Sequence, residues 1–127
     1  MNYLLDTHAV VWFFEDSMRM PNHIKEIIKD PNNNIYVSSI TLLEIIIKST
    51  KHPDTYPMQI DELYNKLFLY KFDLIQIELN QLLLYKQLPY IHKDPYDRML
   101  IATAITNDLL LITEDNKIHE YDVKWIW

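Results

Sequence analysis

The stretch Tyr3-Leu4-Leu5-Asp6-Thr7-His8 indicates the fold class, because it predicts a short buried strand that passes directly into a helix. Tyr3 to Leu5 is an apolar run bounded by an acid, which is typical of a buried strand. The residues from Thr7 to Glu15 are mostly aromatic and aliphatic, and they suit a buried helix. A strand followed at once by a helix is the repeating unit of an α/β protein.

The same alternation continues along the rest of the chain. Short apolar runs predict further strands, and apolar residues at helical spacing predict the helices between them. The predicted strands are 35–38, 73–77, 109–113 and 123–127, and the predicted helices begin at Pro21, Ile40, Ile60, Leu79 and Pro95. The β-branched run Ile45-Ile46-Ile47 leaves a strand as an alternative within the helix that begins at Ile40. We therefore predict one α/β domain over residues 1–127, an α/β/α sandwich around a mainly parallel central sheet.

Composition excludes several classes of protein. The 127 residues include no glycine and no cysteine, which argues against P-loop and dinucleotide sites, disulfides and thiolate zinc sites. The net charge of −6 argues against a broad basic surface that holds nucleic acid. No apolar run approaches the roughly 20 residues of a membrane helix, and the first residues show no secretory signal. We expect a cytoplasmic protein that does not enter a membrane.

Acidic side chains occur where the predicted strands end and the predicted helices begin. They are Asp6 after the first strand, Glu44 about one turn into the helix after the second, Asp97 in the first turn of a helix, and Asp115 after a strand. Strand carboxyl ends and helix amino ends line the ligand-binding crevice of a parallel sheet. We therefore expect these carboxylates to converge at one edge of the sheet.

Each acid also has a purely structural interpretation. Asp6 and Asp115 suit helix N-caps, and Asp97 suits the third-position acid of a capping box. Glu44 suits an i,i+4 ion pair with Lys48. However, apolar residues flank Glu44 on both sides, and buried carboxylates are rare unless they are paired or bind a metal. If all of these acids had only structural roles, nothing would require them to lie together.

Convergence of these acids predicts a divalent metal site. Their mutual repulsion would raise some of their pKa values and destabilise the fold, and a cation relieves it. Carboxylate oxygens suit Mg²⁺, with Mn²⁺ as the alternative, and such a site favours phosphodiester hydrolysis. Two other classes stay open: a receiver-like phosphoacceptor domain, although Asp6-Thr7 lacks its adjacent acid pair, and a non-catalytic interaction domain whose acids are caps.

Other residue types give weaker signals. None of the histidines has the spacing of paired metal ligands, so we expect surface or structural roles for His8, His23, His52, His92 and His119. Serine hydrolase chemistry is not expected, because no base partner or glycine turn accompanies Ser38 and Ser39. A core or dimer-seam role is expected for the aromatic residues Trp12-Phe13-Phe14, Trp125 and Trp127.

The motifs follow one another in a distinctive order. They are Leu4-Leu5-Asp6-Thr7-His8, Ser38-Ser39-Ile40 with Glu44 and Lys48, His92-Lys93-Asp94-Pro95-Tyr96-Asp97-Arg98, and Leu110 to Thr113 followed by Asp115. In this order the chain resembles the PIN-domain ribonucleases, and within that family the VapC-type toxins of bacterial toxin–antitoxin pairs. The likeness covers essentially the whole chain, and its most specific element is the His-x-Asp-Pro-aromatic-Asp-Arg run.

The resemblance implies a role for each acid. Asp6 and Asp97 would be the principal Mg²⁺ ligands, and Asp115 would complete or support the metal shell. Glu44 would position a second metal ion or the attacking water. Thr113 would orient a carboxylate or a phosphate oxygen.

Further positions match the family or depart from it. Asp94 and Arg98 match, and we interpret them as a helix cap and as a substrate-side or salt-bridging residue. Glu114 adds an acid beside Asp115, and the stretch Tyr121-Asp122-Val123 lacks the glycine that relatives often have there. The first departure affects the identity of one metal ligand, and the second affects only a turn.

The resemblance also implies an activity and partners. The activity is metal-dependent endonucleolytic cleavage of RNA, often tRNA or ribosomal RNA, which leaves a 5′-phosphate and a 3′-hydroxyl. The partner is a small antitoxin whose carboxyl-terminal segment occupies the groove of the site. A homodimer is expected.

Overall fold

A central sheet organises the protein, which a computed structural model describes over residues 1–127. The sheet has five strands in the order β3-β2-β1-β4-β5, and every pair of neighbours is parallel. The strands are β1 Asn2–Leu5, β2 Asn34–Ser38, β3 Asp73–Ile75, β4 Leu110–Ile112 and β5 Trp125–Ile126. Since parallel neighbours run in the same direction, the carboxyl ends of all five strands lie at one edge.

Helices cover both faces of this sheet. They are α1 Thr7–Phe14, α2 Asn22–Lys29, α3 Ser39–Lys51, α4 Ile60–Leu69, α5 Leu79–Gln87 and α6 Pro95–Thr106, with a short 3₁₀ helix at Ile118–Glu120. Parallel strands need such helical crossovers, because the chain must return to the starting edge before each new strand. The α/β/α sandwich with a parallel central sheet is confirmed.

The alternation of side chains along β1 divides the core into two clusters. Successive residues of a strand point to opposite faces. Tyr3 and Leu5 pack with side chains of α1, α2 and α4, whereas Leu4 packs with Leu100 and Ile101 of α6. Both Leu4 and Leu5 are fully buried, as a central strand requires.

Side-chain caps start three of the helices at the carboxyl edge of the sheet. Asp6 accepts a hydrogen bond from the backbone N–H of Ala9 and caps α1, and Ser38 caps α3. Asp94 caps α6 by accepting from the N–H groups of Tyr96 and Asp97, and a proline follows it at the first helical position. The helix starts that bear the acids are therefore fixed by local hydrogen bonds.

The structure differs from the sequence expectations in a few elements. Pro21 is the N-cap of α2 rather than its first residue, because its backbone is extended. The run Ile45-Ile46-Ile47 is helical rather than a strand, and α3 buries Ile45 in the core while Ile46 remains 43% exposed. Trp12 and Phe13 are core residues as expected, but Trp125 is 39% exposed and stacks on the ring of His119 at a centroid distance of 3.3 Å. None of the helices is long and apolar enough to cross a membrane.

Candidate functional site

The predicted acids lie on the elements that end or begin at the carboxyl edge of the sheet. Asp6 follows β1, Glu44 lies in α3, Asp97 lies in the first turn of α6, and Asp115 follows β4. Asp6 and Glu44 are buried, with only 4% and 2% of their surfaces exposed. Two carboxylates buried at a ligand-binding edge require nearby donors or cations to offset the loss of hydration.

Asp97 and Asp115 meet at His92. The Nε2 atom of His92 lies 2.8 Å from Oδ2 of Asp115 and 3.1 Å from Oδ2 of Asp97. One ligand atom from each of the three residues lies within 4.8 Å of the others, which is the spacing of groups that hold a single ion. These side chains form the centre of the site.

The hydrogen bonds of His92 define its role in this centre. The backbone N–H of Asp94 donates to Nδ1 at 3.1 Å, so the ring proton lies on Nε2. That N–H faces the oxygens of Asp97 and Asp115, which makes the imidazole a donor to the carboxylates rather than a metal ligand. Sequence reasoning missed this residue. The available signal was its position two residues before the cap of the acid-bearing helix.

Asp115 is held in place from three directions. Its backbone N–H donates to Oγ1 of Thr113 at 3.1 Å, and its Oδ1 accepts from the N–H of Lys117 at 2.8 Å. Oδ2 faces His92. Burial opposes ionisation, but the hydrogen bonds from His92 and Lys117 outweigh it and lower the pKa of Asp115. This carboxylate is therefore a fixed negative charge.

Asp6 combines capping with burial. Its Oδ1 accepts from the N–H of Ala9 at 2.7 Å, which confirms the structural interpretation of this residue without removing it from the edge. Burial raises the pKa of Asp6 to about 6, although hydrogen bonds from Thr113 and Ala9 partly offset the effect. Thr113 thus contacts the side chain of Asp6 and the backbone N–H of Asp115.

Asp97 has no capping function. The capping-box interpretation is wrong, because the N–H of Asp94 is taken by His92 and Asp94 alone caps α6. Burial is the main cause that raises the pKa of Asp97 to about 8, and the charges of Asp94, Glu44, Asp6 and Asp115 add to it. Asp97 is therefore within electrostatic reach of all the other predicted acids. The pKa of Asp97 is therefore raised in spite of the contact between Asp97 and His92.

Glu44 is paired as well as buried. Its Oε1 accepts from the hydroxyl of Thr7 at 2.5 Å, and its Oε2 pairs with Nζ of Lys48. The Thr7 hydroxyl also lies 3.3 Å from the hydroxyl of Thr41, so α1 and α3 are joined next to Asp6. The i,i+4 interpretation of Glu44 and Lys48 is confirmed, and the pair lies beside the acidic centre.

The donor set fits a hard divalent cation. Carboxylate oxygens of Asp97 and Asp115 face each other, and the charges of Asp6 and Glu44 are close enough to raise the pKa of Asp97. The Nε2–H of His92 is used in a hydrogen bond to Asp115, so this nitrogen is not free to bind the ion. Oxygen-rich, acidic sites suit Mg²⁺ or Mn²⁺ rather than the softer metals. The unfavourable ionisation of Asp97 arises partly from this crowding of like charges, and a cation among the carboxylates would relieve it.

Arg98 does not have the role expected for it. Its side chain is buried and forms no ion pair. The guanidinium donates to the carbonyl of Pro89 at 2.9 Å and to the hydroxyl of Tyr121 at 3.2 Å, and it lies over the rings of Tyr85 and Tyr90. It is a structural residue that ties the preceding loop to α6.

Comparison with known families identifies the class of this molecule. The PIN domain family matches residues 3–124, so the chain belongs to the PIN-domain family. Comparison with curated protein sequences finds no match. The expected likeness to VapC-type members is confirmed at the level of the fold by the solved structures that resemble it.

Three solved structures are similar over almost their whole length. VapBC2 from Rickettsia felis, bound to a DNA fragment from its promoter, has a TM-score of 0.71 at 21% identity, covering 100% of this chain and 99% of that one. VapBC-1 from nontypeable Haemophilus influenzae has a TM-score of 0.69 at 21% identity, covering 99% and 97%. FitAcB from Neisseria gonorrhoeae has a TM-score of 0.65 at 20% identity, covering 100% and 97%. At these identities the likeness establishes the shared fold.

Proposed function

We propose that the protein is a Mg²⁺-dependent endoribonuclease and the toxin of a type II toxin–antitoxin pair. The observation that carries this proposal is the cluster at Asp97, a partly buried carboxyl group whose ligand atom lies within 4.8 Å of those of His92 and Asp115 and whose pKa is raised to about 8 by burial and by the surrounding acids. A fold stabilised only by capping acids has no need to place its carboxylates so close together. A bound divalent cation is the simplest counterpart to this cluster.

The residues of the chain have distinct positions toward such an ion. Asp6, Asp97 and Asp115 would hold it, and Asp115 is the one whose orientation is fixed most completely. Thr113 would orient the carboxylate of Asp6, and its hydroxyl also holds the backbone of Asp115. Glu44, which pairs with Lys48, would position a second metal ion or the attacking water. The bound ion supplies charge stabilisation for the phosphodiester and makes water a stronger nucleophile.

RNA is the substrate that we infer from the resemblance to the PIN-domain ribonucleases, and such a site can hydrolyse its phosphodiester backbone to a 5′-phosphate and a 3′-hydroxyl. The acidic crevice contacts phosphate only through the ion, so the site itself is blind to base identity. A structured RNA such as tRNA or ribosomal RNA is the class implied by the PIN family resemblance. The proposed nuclease activity is supported by family membership and by the arrangement of the acids.

A cognate antitoxin and a second copy of the chain are the partners that we infer. Two of the similar structures are VapBC2 and VapBC-1, and a third is a toxin–antitoxin complex from Klebsiella pneumoniae. Three leucines of α5 are also exposed: Leu79, Leu82 and Leu83. Neighbouring exposed leucines are typical of a surface that contacts another protein.

The test is RNA cleavage by the purified protein with Mg²⁺ or Mn²⁺ and with a chelator. Asp97→Asn should abolish cleavage, because it removes a charge that the ion requires while nearly preserving shape. Asp108→Asn is the matched control, since Asp108 is an exposed acid paired with Lys124 at the opposite edge of the sheet. Equal cleavage by the parent and both variants, or cleavage that continues unchanged when a chelator is added, would refute the proposal of a metal-dependent nuclease.

A further inference from the structure

A second cavity lies beside the acidic centre and takes no part in the proposed chemistry. It has a volume of about 260 Å³ and follows the exposed face of α1, and we call it the α1 groove. Its lining includes His8 and Trp12 from α1 and Glu15 at the C-cap of that helix, with Ser17, Arg19 and Tyr56 from the neighbouring loops. Trp12 and Tyr56 are buried and form its floor, whereas His8 and Arg19 are exposed.

The end of the α1 groove at His8 lies next to residues that contact Glu44. His8 follows directly after Thr7, whose hydroxyl bonds to Glu44. The hydroxyl of Tyr56 lies 3.3 Å from Nε2 of His8, and the ammonium of Lys48 lies 5.5 Å from the centre of the Tyr56 ring. His8, Tyr56 and Lys48 therefore join the groove to the residues around Glu44.

Arg19 gives the other end of the groove, at Trp12, a positive charge. Its guanidinium lies 5.6 Å from the centre of the Trp12 ring, and its backbone N–H donates to Oγ of Ser17. It forms no ion pair, not even with Glu15 in the same groove. A free guanidinium is conspicuous in a chain of net charge −6, and its planar array of donors suits phosphate oxygens.

We propose that the α1 groove binds the nucleotide next to the scissile phosphate, with Arg19 pairing with the adjacent phosphate. This inference rests on the proposed nuclease function. His8 and Trp12 are one helical turn apart, or about 6 Å, so the groove runs along α1 from the residue next to Thr7 to the guanidinium of Arg19 over the Trp12 ring. His8 and the hydroxyl of Tyr56 supply hydrogen-bonding groups at the junction between the two subsites. The groove thus adds a positive charge next to the acidic centre.

The experiment compares a substrate that reaches the groove with one that does not. A short oligoribonucleotide extends beyond the scissile phosphate, whereas bis(4-nitrophenyl) phosphate is a small phosphodiester that occupies the acidic centre alone. Steady-state constants for both are measured with Mn²⁺ for the parent, Arg19→Ala and Arg19→Lys. Lys124→Ala is the matched control, because it removes an exposed cation near Asp108 at the opposite edge. Thermal unfolding of each variant verifies the fold.

Arg19→Ala should raise KM for the oligoribonucleotide about tenfold, the size expected for one charge-assisted hydrogen bond at an exposed site. The slope of log KM against log salt concentration should fall by about 0.7, because one phosphate contact of a single strand is lost. Arg19→Lys should recover part of the loss, and turnover of the small ester should not change.

Three outcomes overturn the proposal, and they differ from one another. An unchanged KM for RNA in Arg19→Ala refutes the groove as a nucleotide subsite and leaves an acidic protein segment as its ligand. An equal loss on both substrates assigns Arg19 a structural role instead. Failure of the parent to cleave either substrate with Mn²⁺ refutes the nuclease function, and the groove proposal falls with it.

Discussion

Neighbouring acids in this site have opposite ionisation, and the difference arises from their hydrogen bonds. Asp115 accepts from His92 and Lys117, which lowers its pKa in spite of burial. The pKa of Asp97 is raised to about 8 by burial and by surrounding acids. At neutral pH the metal-free site therefore holds one ionised and one largely protonated carboxyl group. Binding of a cation to both must displace the proton from Asp97.

The first prediction concerns His92, which binds Asp115 and reaches Asp97 without being a ligand itself. His92→Phe preserves a planar ring but removes the hydrogen bond, so Asp115 should lose its orientation and its pKa should rise. We expect the affinity for Mn²⁺ to fall about 10- to 100-fold, the range observed for residues that orient metal ligands. Calorimetric titration measures this, with exposed His23→Phe as the control. Unchanged affinity would show that His92 does not position the carboxylates.

The second prediction concerns Asp94, whose charge is the largest electrostatic contribution after burial to the raised pKa of Asp97. Asp94→Asn should keep the cap of α6, since asparagine caps helices about as well as aspartate. The pKa of Asp97 should then fall from about 8 toward its ordinary value. Carboxyl titration by NMR measures the shift, and a thermal melt confirms the retained cap. A pKa of Asp97 that does not move would contradict an electrostatic contribution from Asp94.

Among the helices and loops, the segment before α6 carries His92 into the site and is held by two buried side chains. The hydroxyl of Tyr121 accepts from the N–H of His92 at 2.8 Å and from that of Ile91 at 3.2 Å, and it donates to the carbonyl of Pro89 at 2.8 Å. Arg98 donates to the same carbonyl and to the same hydroxyl. The position of His92 thus depends on residues from α6 and from the turn after the 3₁₀ helix.

The third prediction follows from this arrangement. Tyr121→Phe keeps the buried ring but removes the acceptor of two backbone N–H groups and one of the acceptors of the Arg98 guanidinium, which keeps its hydrogen bond to Pro89. We expect the free energy of unfolding to fall by about 2 kcal/mol, with a loss of Mn²⁺ affinity as the His92 loop loosens. Urea unfolding and calorimetry measure the two effects. Tyr3→Phe is the control, because its hydroxyl contacts only a methionine sulfur at 3.7 Å.

The sequence predicted the elements that depend on local chemistry. Apolar runs located the strands, and Asp6 and Asp94 located two of the helix starts, because caps act within three residues of themselves. The acids were found because they follow those strand ends and helix starts. The chemistry of His92 was not predictable from spacing, since its partner Asp115 lies 23 residues away and meets it only in the folded sheet.

Arg98 is a second residue whose role was not predictable from the local sequence. Its place in the His-x-Asp-Pro-aromatic-Asp-Arg run suggested a substrate or salt-bridge contact, because an arginine beside acids normally pairs with them. Helical geometry turns it away from the acids and toward the carbonyls of Pro89 and Leu88. Which side of α6 faces the crevice depends on how the helix packs on the sheet, and the local sequence does not contain that information.

In the whole folded protein, the free energy of unfolding and the affinity for the metal ion are linked through Asp97. Its pKa in the folded protein is raised to about 8 from an ordinary value of 3.8. The metal-free fold therefore loses stability as the pH rises between these values, because the unfolded chain ionises this carboxyl group more easily. A cation that binds only the folded protein reverses the loss, and its effect grows with pH because the proton no longer competes.

The fourth prediction is that Mn²⁺ raises the unfolding temperature more at about pH 8 than at about pH 6. At a metal concentration of about 100 times Kd the stabilisation is about 2.7 kcal/mol, and a chelator should remove it. The side chain of residue 97 in Asp97→Asn cannot ionise, so the metal-free stability of this variant should fall less between the two pH values than that of the parent, and Mn²⁺ should stabilise it little. Asp108→Asn should behave as the parent does, because Asp108 lies at the opposite edge and is exposed. Stabilisation that is equal at both pH values in the parent would mean that Asp97 does not take part in holding the ion, and the acid cluster would then have to be explained by folding alone.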